Sequence, residues 1–155
     1  MSDNARTHVT FVTELFNTEE AKDYFINPNC FGDDCAQWLI DGLISQRIED
    51  LDKQPTQEDW GWLFSVTKDQ RNFLIGVGLC EDDEAPNTWL VFIKSQLTWF
   101  GRRLFGRSDE VELSAVCVAV DRALKSASEI SDIRWHREED WMKGRDQDWS
   151  SDPTV

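Results

Sequence analysis

Positive charge is what this chain has least of. It carries 16 Lys and Arg against 30 Asp and Glu, a net charge of −14. Nucleic-acid binding by phosphate neutralisation needs a basic footprint, and this composition argues against one. Docking on an anionic membrane is disfavoured on the same ground. No apolar run approaches the roughly 18 residues of a membrane span. The start, Met1-Ser2-Asp3-Asn4-Ala5-Arg6, lacks the apolar core of a signal peptide, so the expectation is a cytoplasmic chain. Catalytic signatures are missing too: there is no GxSxG, P-loop, GxGxxG or HExxH. The only histidines, His8 and His136, stand alone at expected strand ends.

Cysteine is sparse, and its placement points to thiols. Cys80 and Cys117 sit inside apolar patterns, as small hydrophobes do. Cys30 and Cys35 are separated by four residues, with no second pair and no nearby histidine to complete a zinc site. No metal and no cofactor is expected. Cys30 with a histidine would make a nucleophile, but no motif supports one.

Aromatic residues are plentiful, with eight Trp and nine Phe. A chain of 155 residues is about one domain. Residues 7–136 carry the regular patterning. Residues 137–155 are polar, acidic and aperiodic, and are expected as a flexible tail.

Within the domain, Thr7 to Phe16 alternates as a first strand, with Val9, Phe11, Thr13 and Leu15 on one face. Asn17-Thr18-Glu19-Glu20 has capping-box spacing, which predicts a short helical turn. A loop through Asn27-Pro28 leads to a helix from Asp33, whose first-turn carboxylates suit its dipole. Its stripe is Cys35, Trp38, Leu39, Gly42, Leu43 and Ile48, with Gly42 suggesting close packing on a sheet. Strands are expected at about 59–67, 72–79 and 88–94, joined by the short Lys68–Arg71 turn and the acidic Glu81–Asn87 connection. A second helix runs from about Asp109 to Ala127, and a last strand from Ile130 to His136. The order β-α-β-β-β-α-β, with short links between strands, predicts an α+β two-layer sandwich. Its sheet is mainly antiparallel and both helices lie on one face.

Glu58-Asp59-Trp60-Gly61-Trp62 is the most informative stretch. At period 2, Trp60, Trp62, Phe64 and Val66 share one face, and Gly61, Leu63, Ser65 and Thr67 the other. Gly76 and Gly78 thin the same face as Gly61, which suits a closely packed helix or a bulge. If the helices lie on the glycine side, Trp60, Trp62 and, across the meander, Trp89 form an exposed patch with Glu58 and Asp59 beside it. If the helices lie on the Trp62 side, those rings are core. Arg102, Arg103 and Arg107 form a basic island just before the second helix, where free amides would favour a phosphate or carboxylate. Glu81–Glu84 and Glu138–Asp140 lack the alternating ligands and glycine of a calcium loop.

Three pieces of the chain carry a resemblance. They are the loop-helix from Ile26 through Asn27-Pro28-Asn29-Cys30-Phe31-Gly32 to Leu39, the Glu58–Trp62 strand, and Ile130-Ser131-Asp132-Ile133-Arg134-Trp135. Over about residues 8–136 the chain resembles a set of short, uncharacterised bacterial proteins. In these an Asn-Pro-x-Cys-x-Gly loop opens a helix and a Glu-Asp-Trp-Gly-Trp strand follows. The resemblance implies a bacterial stand-alone domain and transfers no activity.

Charge, aromatics and the missing catalytic motifs together favour a small acidic binding protein. Its partner would be a basic protein, with Glu58, Asp59, Trp60, Trp62 and Trp89 as the contact set. An immunity or inhibitor protein against a basic bacterial toxin has this size and charge. The alternatives are a small-ligand or enzymatic domain using the arginine island, and a homodimer formed through an open sheet face.

Overall fold

A computed structural model describes residues 5–96, 109–145 and 147–155. Six strands form one antiparallel sheet: β1 (His8–Val12), β2 (Thr56–Glu58), β3 (Gly61–Lys68), β4 (Arg71–Leu79), β5 (Thr88–Ser95) and β6 (Ser131–His136). Their order across the sheet is β2-β3-β4-β5-β1-β6. The first strand of the chain is therefore interior, paired with β5 on one side and β6 on the other. Helices α1 (Asp33–Ser45) and α2 (Glu110–Lys125) form one layer, and a short α3 (Glu138–Met142) follows β6. This is the α+β sandwich that the patterning predicts, with β2 and α3 as additional elements.

Alternation within the strands decides which residues meet the helices. Trp62 stands opposite Val77, and Val77 opposite Val91; Phe64 aligns with Ile75 and Ile93, and Phe11 with Trp89. These side chains share one face and are buried. Against them α1 presents Cys35, Ala36, Leu39, Ile40 and Leu43, while α2 presents Leu113, Val116, Cys117, Val120 and Leu124. Two helical stripes on one sheet face make a single continuous core. Fully burying each large side chain stabilises the fold by roughly 1.5–3 kcal/mol before entropy is counted.

The helices thus cover the tryptophan side, not the glycine side. Gly42 does mark a close approach, but to α2: a Cβ there would stand 3.2 Å from the Cβ of Ala123. Other boundaries move as well. β1 ends at Val12, so Thr13 and Leu15 leave the strand face, and Leu15 is exposed. The capping pattern at Asn17 forms without a helix. Asn17 Oδ1 accepts from the amides of Glu19 and Glu20, and the chain continues as a loop.

The segment after Arg137, expected as a loose tail, returns to the sheet. Ser150 bridges Trp135 on the outer edge of β6. The Arg6 guanidinium donates to the carbonyls of Val155 (2.6 Å), Trp135 (3.2 Å) and Asp148. Pro153 is buried and accepts from the amide of Arg6 at 3.0 Å. This return shields part of an otherwise open strand edge. Among the described residues, no helix is long and apolar enough to cross a membrane.

Candidate functional site

The segment from Asn17 to Gly32 has no regular structure, yet polar contacts fix it at both ends. Gln57 on β2 holds its middle: Oε1 accepts the amides of Ile26 (2.6 Å) and Asn27 (3.0 Å). The same side chain's Nε2 donates to the carbonyls of Asn27 (2.9 Å) and Cys30 (3.2 Å). The first turn of α1 holds the rest. Asp34 Oδ2 accepts the Asn17 amide at 2.8 Å, and Asp33 Oδ2 accepts from Lys22 Nζ at 2.8 Å and from the Tyr24 hydroxyl. The first-turn carboxylates therefore do more than answer the helix dipole; they moor the loop. The hydrogen bond to Asp33 raises the Lys22 ammonium to about 12, outweighing its partial desolvation. Gly32, with φ +131, turns the chain into the helix in a conformation that L side chains rarely adopt.

This mooring leaves a groove of about 690 Å³ between the loop, α1 and the Gln54-Pro55 turn. Its aromatic wall is Tyr24, Trp38 and Trp62, and its carboxylates are Asp33, Asp34 and Asp41. Trp62 is buried against Phe25 at 5.1 Å and meets the edge of Tyr24 at 6.2 Å, while its Nε1 donates to the Cys30 carbonyl at 3.0 Å. Tyr24 itself is 60% exposed. Asp33 is buried, and its Oδ1 has no hydrogen-bond partner among the described residues. Lys22 is the only cation lining the groove among the described residues, and Asp33 already pairs with it. Beyond the groove, Glu14, Glu19 and Glu20 gather around Asn17. Aromatic faces beside carboxylates in partial desolvation attract ammonium and guanidinium groups.

The residues singled out from sequence do not form one patch. Trp60 leaves the strand at the β2–β3 turn and crosses to the opposite face of the sheet, where it packs on Phe92 at 5.2 Å. Trp62 stays on the helix side and lines the groove, offering a partner little surface of its own. Trp89 is fully buried, edge-on to Phe16 at 5.6 Å, and presents no surface at all. Glu58 and Asp59 are exposed at the turn. Arg102, Arg103 and Arg107 lie outside the described residues. Missed from the sequence were Gln57, and Lys22 with Tyr24, which lie where the capping pattern predicts a short helical turn and stand instead on irregular backbone.

All four cysteines are free thiols. Burial raises the pKa of each, holding them as protonated, poor nucleophiles. Cys30 Sγ donates to the Glu58 carbonyl at 3.4 Å rather than to an imidazole.

Compared with known proteins, the chain matches no family model, and no curated protein or solved structure resembles it significantly.

Proposed function

We propose that this protein is a non-enzymatic binding protein for a basic protein partner. The loop–α1 groove receives a lysine or arginine side chain of that partner. The observation that carries the reading is the groove's composition: three aspartates and three aromatic rings, with one cation already neutralised by Asp33. An excess charge of −14 would steer a basic protein toward it, and Tyr24 and Trp38 would supply the desolvated contact. Exposed Ile26, on the same loop, extends the apolar part of the surface. An immunity or inhibitor protein facing a basic bacterial toxin is the form of this reading that best suits a small, acidic, aromatic-rich chain.

The test is affinity capture of basic proteins by the full chain at low salt, repeated with Tyr24→Ala and Asp41→Asn. A basic protein held by the wild type, released by salt and lost from both variants supports the reading. Capture indifferent to both substitutions, or no basic protein retained at low ionic strength, counts against it.

A further inference from the structure

The sheet face that the helices leave open carries a second groove, of about 700 Å³. Its construction begins with two glycines. A Cβ on Gly76 would fall 2.3 Å from the Phe92 ring and 2.8 Å from the Trp60 ring, so the missing side chain is what lets both rings lie down on the sheet. Beside them Gly78 leaves the floor bare, with only the Trp60 carbonyl near its absent Cβ, at 3.2 Å. Trp60 flanks one side of the groove. Trp141, from α3, flanks another, tilted over His8 at 6.3 Å and His136 at 5.2 Å.

Two nitrogen bases serve this apolar, ring-lined space. His8 is about nine-tenths buried, stacked on Phe92 at 5.7 Å, and its Nδ1 shares a hydrogen bond with Thr7 Oγ1 at 3.0 Å. No hydrogen bond among the described residues reaches its Nε2, which lies on the ring's other side while His8 lines the groove. Lys94 stands on the same sheet face as His8, diagonally across the β1–β5 pairing in which His8 aligns with Phe92. Lys94 is exposed and forms no ion pair among the described residues. A volume in the roughly 300–1,000 Å³ range, aromatic walls and a few convergent polar groups describe a small-molecule site.

We propose that this groove binds a planar aromatic carboxylate. Its ring lies over Gly78 between Trp60 and Trp141, and its anionic group meets Lys94 Nζ and the free ring nitrogen of His8. Glu138 lines the same groove from α3, and it sets the limit of one negative charge on the ligand by repelling a second. This site lies on the opposite face of the sheet from the loop–α1 groove, so the two readings fail independently.

The probe is 2-naphthoate, titrated into the full-length protein by calorimetry and by NMR of the histidine rings, with 2-naphthalenemethanol as the uncharged comparison. His8 now titrates near pH 4, held down by burial and by the neighbouring His136 and Lys94. Glu138 and Cys80 also face the groove, and neither offsets that depression. A bound carboxylate should raise the His8 midpoint, a shift that no purely structural role would produce. Saturable binding is expected, weakened about tenfold by Lys94→Gln and by loss of the carboxylate in the alcohol. Trp60→Ala, at a half-exposed ring, should weaken both probes alike. No saturation by about 5 mM, the weak end of specific affinity, would overturn the proposal. So would equal binding of acid and alcohol, or affinity unmoved by both substitutions.

Discussion

The two faces of the sheet are built from the same strands and by opposite means. On the helix side every interior position is large: Trp62, Phe64, Phe73, Ile75, Trp89 and Val91. Side chains there interlock with α1 and α2, and the layer closes by filling space. On the other side the positions alternating with them are Gly61, Leu63, Gly76, Gly78, Leu90 and Phe92. Here the sheet provides its own cover, since Trp60 and Phe92 fold down into the room the glycines leave. Glycine in a sheet is therefore not by itself a mark of helix docking. It marks close approach of something, and here that something is two aromatic rings.

Truncating a ring on each face would sharpen this contrast most. Trp89→Ala removes a fully buried indole from beneath the helices, and should destabilise by about 3–5 kcal/mol in urea unfolding. Trp60→Ala removes a ring that is 49% exposed, and should cost about 1 kcal/mol or less. Equal losses would mean that the open face is as much core as the covered one.

Acid should act chiefly on the open face. Burial, with His136 and Lys94 nearby, lowers His8 from an ordinary 6.5 to about 4. Between those values the unfolded chain binds a proton that the folded chain refuses. The stability tied to a neutral His8 is complete above about pH 6.5 and is lost as pH falls toward 4, a contribution of roughly 3 kcal/mol. His8→Gln should flatten that part of the stability profile, measured as urea midpoints from pH 7 to pH 4. A profile parallel to the wild type's would assign the acid sensitivity elsewhere.

Adding bulk to the open face is the next test. Gly76→Ala places a Cβ inside contact distance of both rings, and overpacking of this kind costs about 1–3 kcal/mol. The Trp60 emission should shift as its indole is lifted toward water. Stability unchanged and emission unmoved would show the rings are not seated as described.

Much of this was legible in the alternation of residues, because strand and helix periods report directly on which side chains share a surface. The meander, both long helices, the shared face of Trp62 and Phe64, and the buried stripe through Leu39 follow from period alone. What periodicity could not supply was the side the helices take, since both faces of β3 and β4 carry apolar residues. Nor could it place Trp60. Counted at period 2 it joins Trp62, but Asp59 and Trp60 are turn residues between Glu58 and Gly61, and a turn resets the alternation. Gly61 enforces this: a Cβ there would lie 2.2 Å from the Val77 carbonyl, so the strand can press against β4 only without one. The loop–α1 groove was hidden for a different reason. Its organiser, Gln57, acts through backbone groups some 30 residues earlier in the chain. Hydrogen bonds to irregular backbone leave no periodic trace.

The β3–β4 hairpin belongs to both faces, and it offers the smallest expected effect. Lys68 pairs with Arg71 around a two-residue turn, Asp69-Gln70, in which both residues have positive φ, 49 and 65. This is the conformation that two-residue hairpins favour and that Asn-Gly or Asp-Gly normally supplies. Gln70 occupies it with a Cβ, at a cost that glycine avoids. Gln70→Gly should stabilise the fold by about 0.5–1 kcal/mol, because relief of left-handed strain exceeds the extra freedom glycine gives the unfolded chain. The turn touches neither groove, so ligand and partner binding should be unchanged. The gain should appear as a higher urea midpoint with an unaltered slope. A lower midpoint would mean that the Gln70 side chain contributes a contact worth more than the strain it imposes.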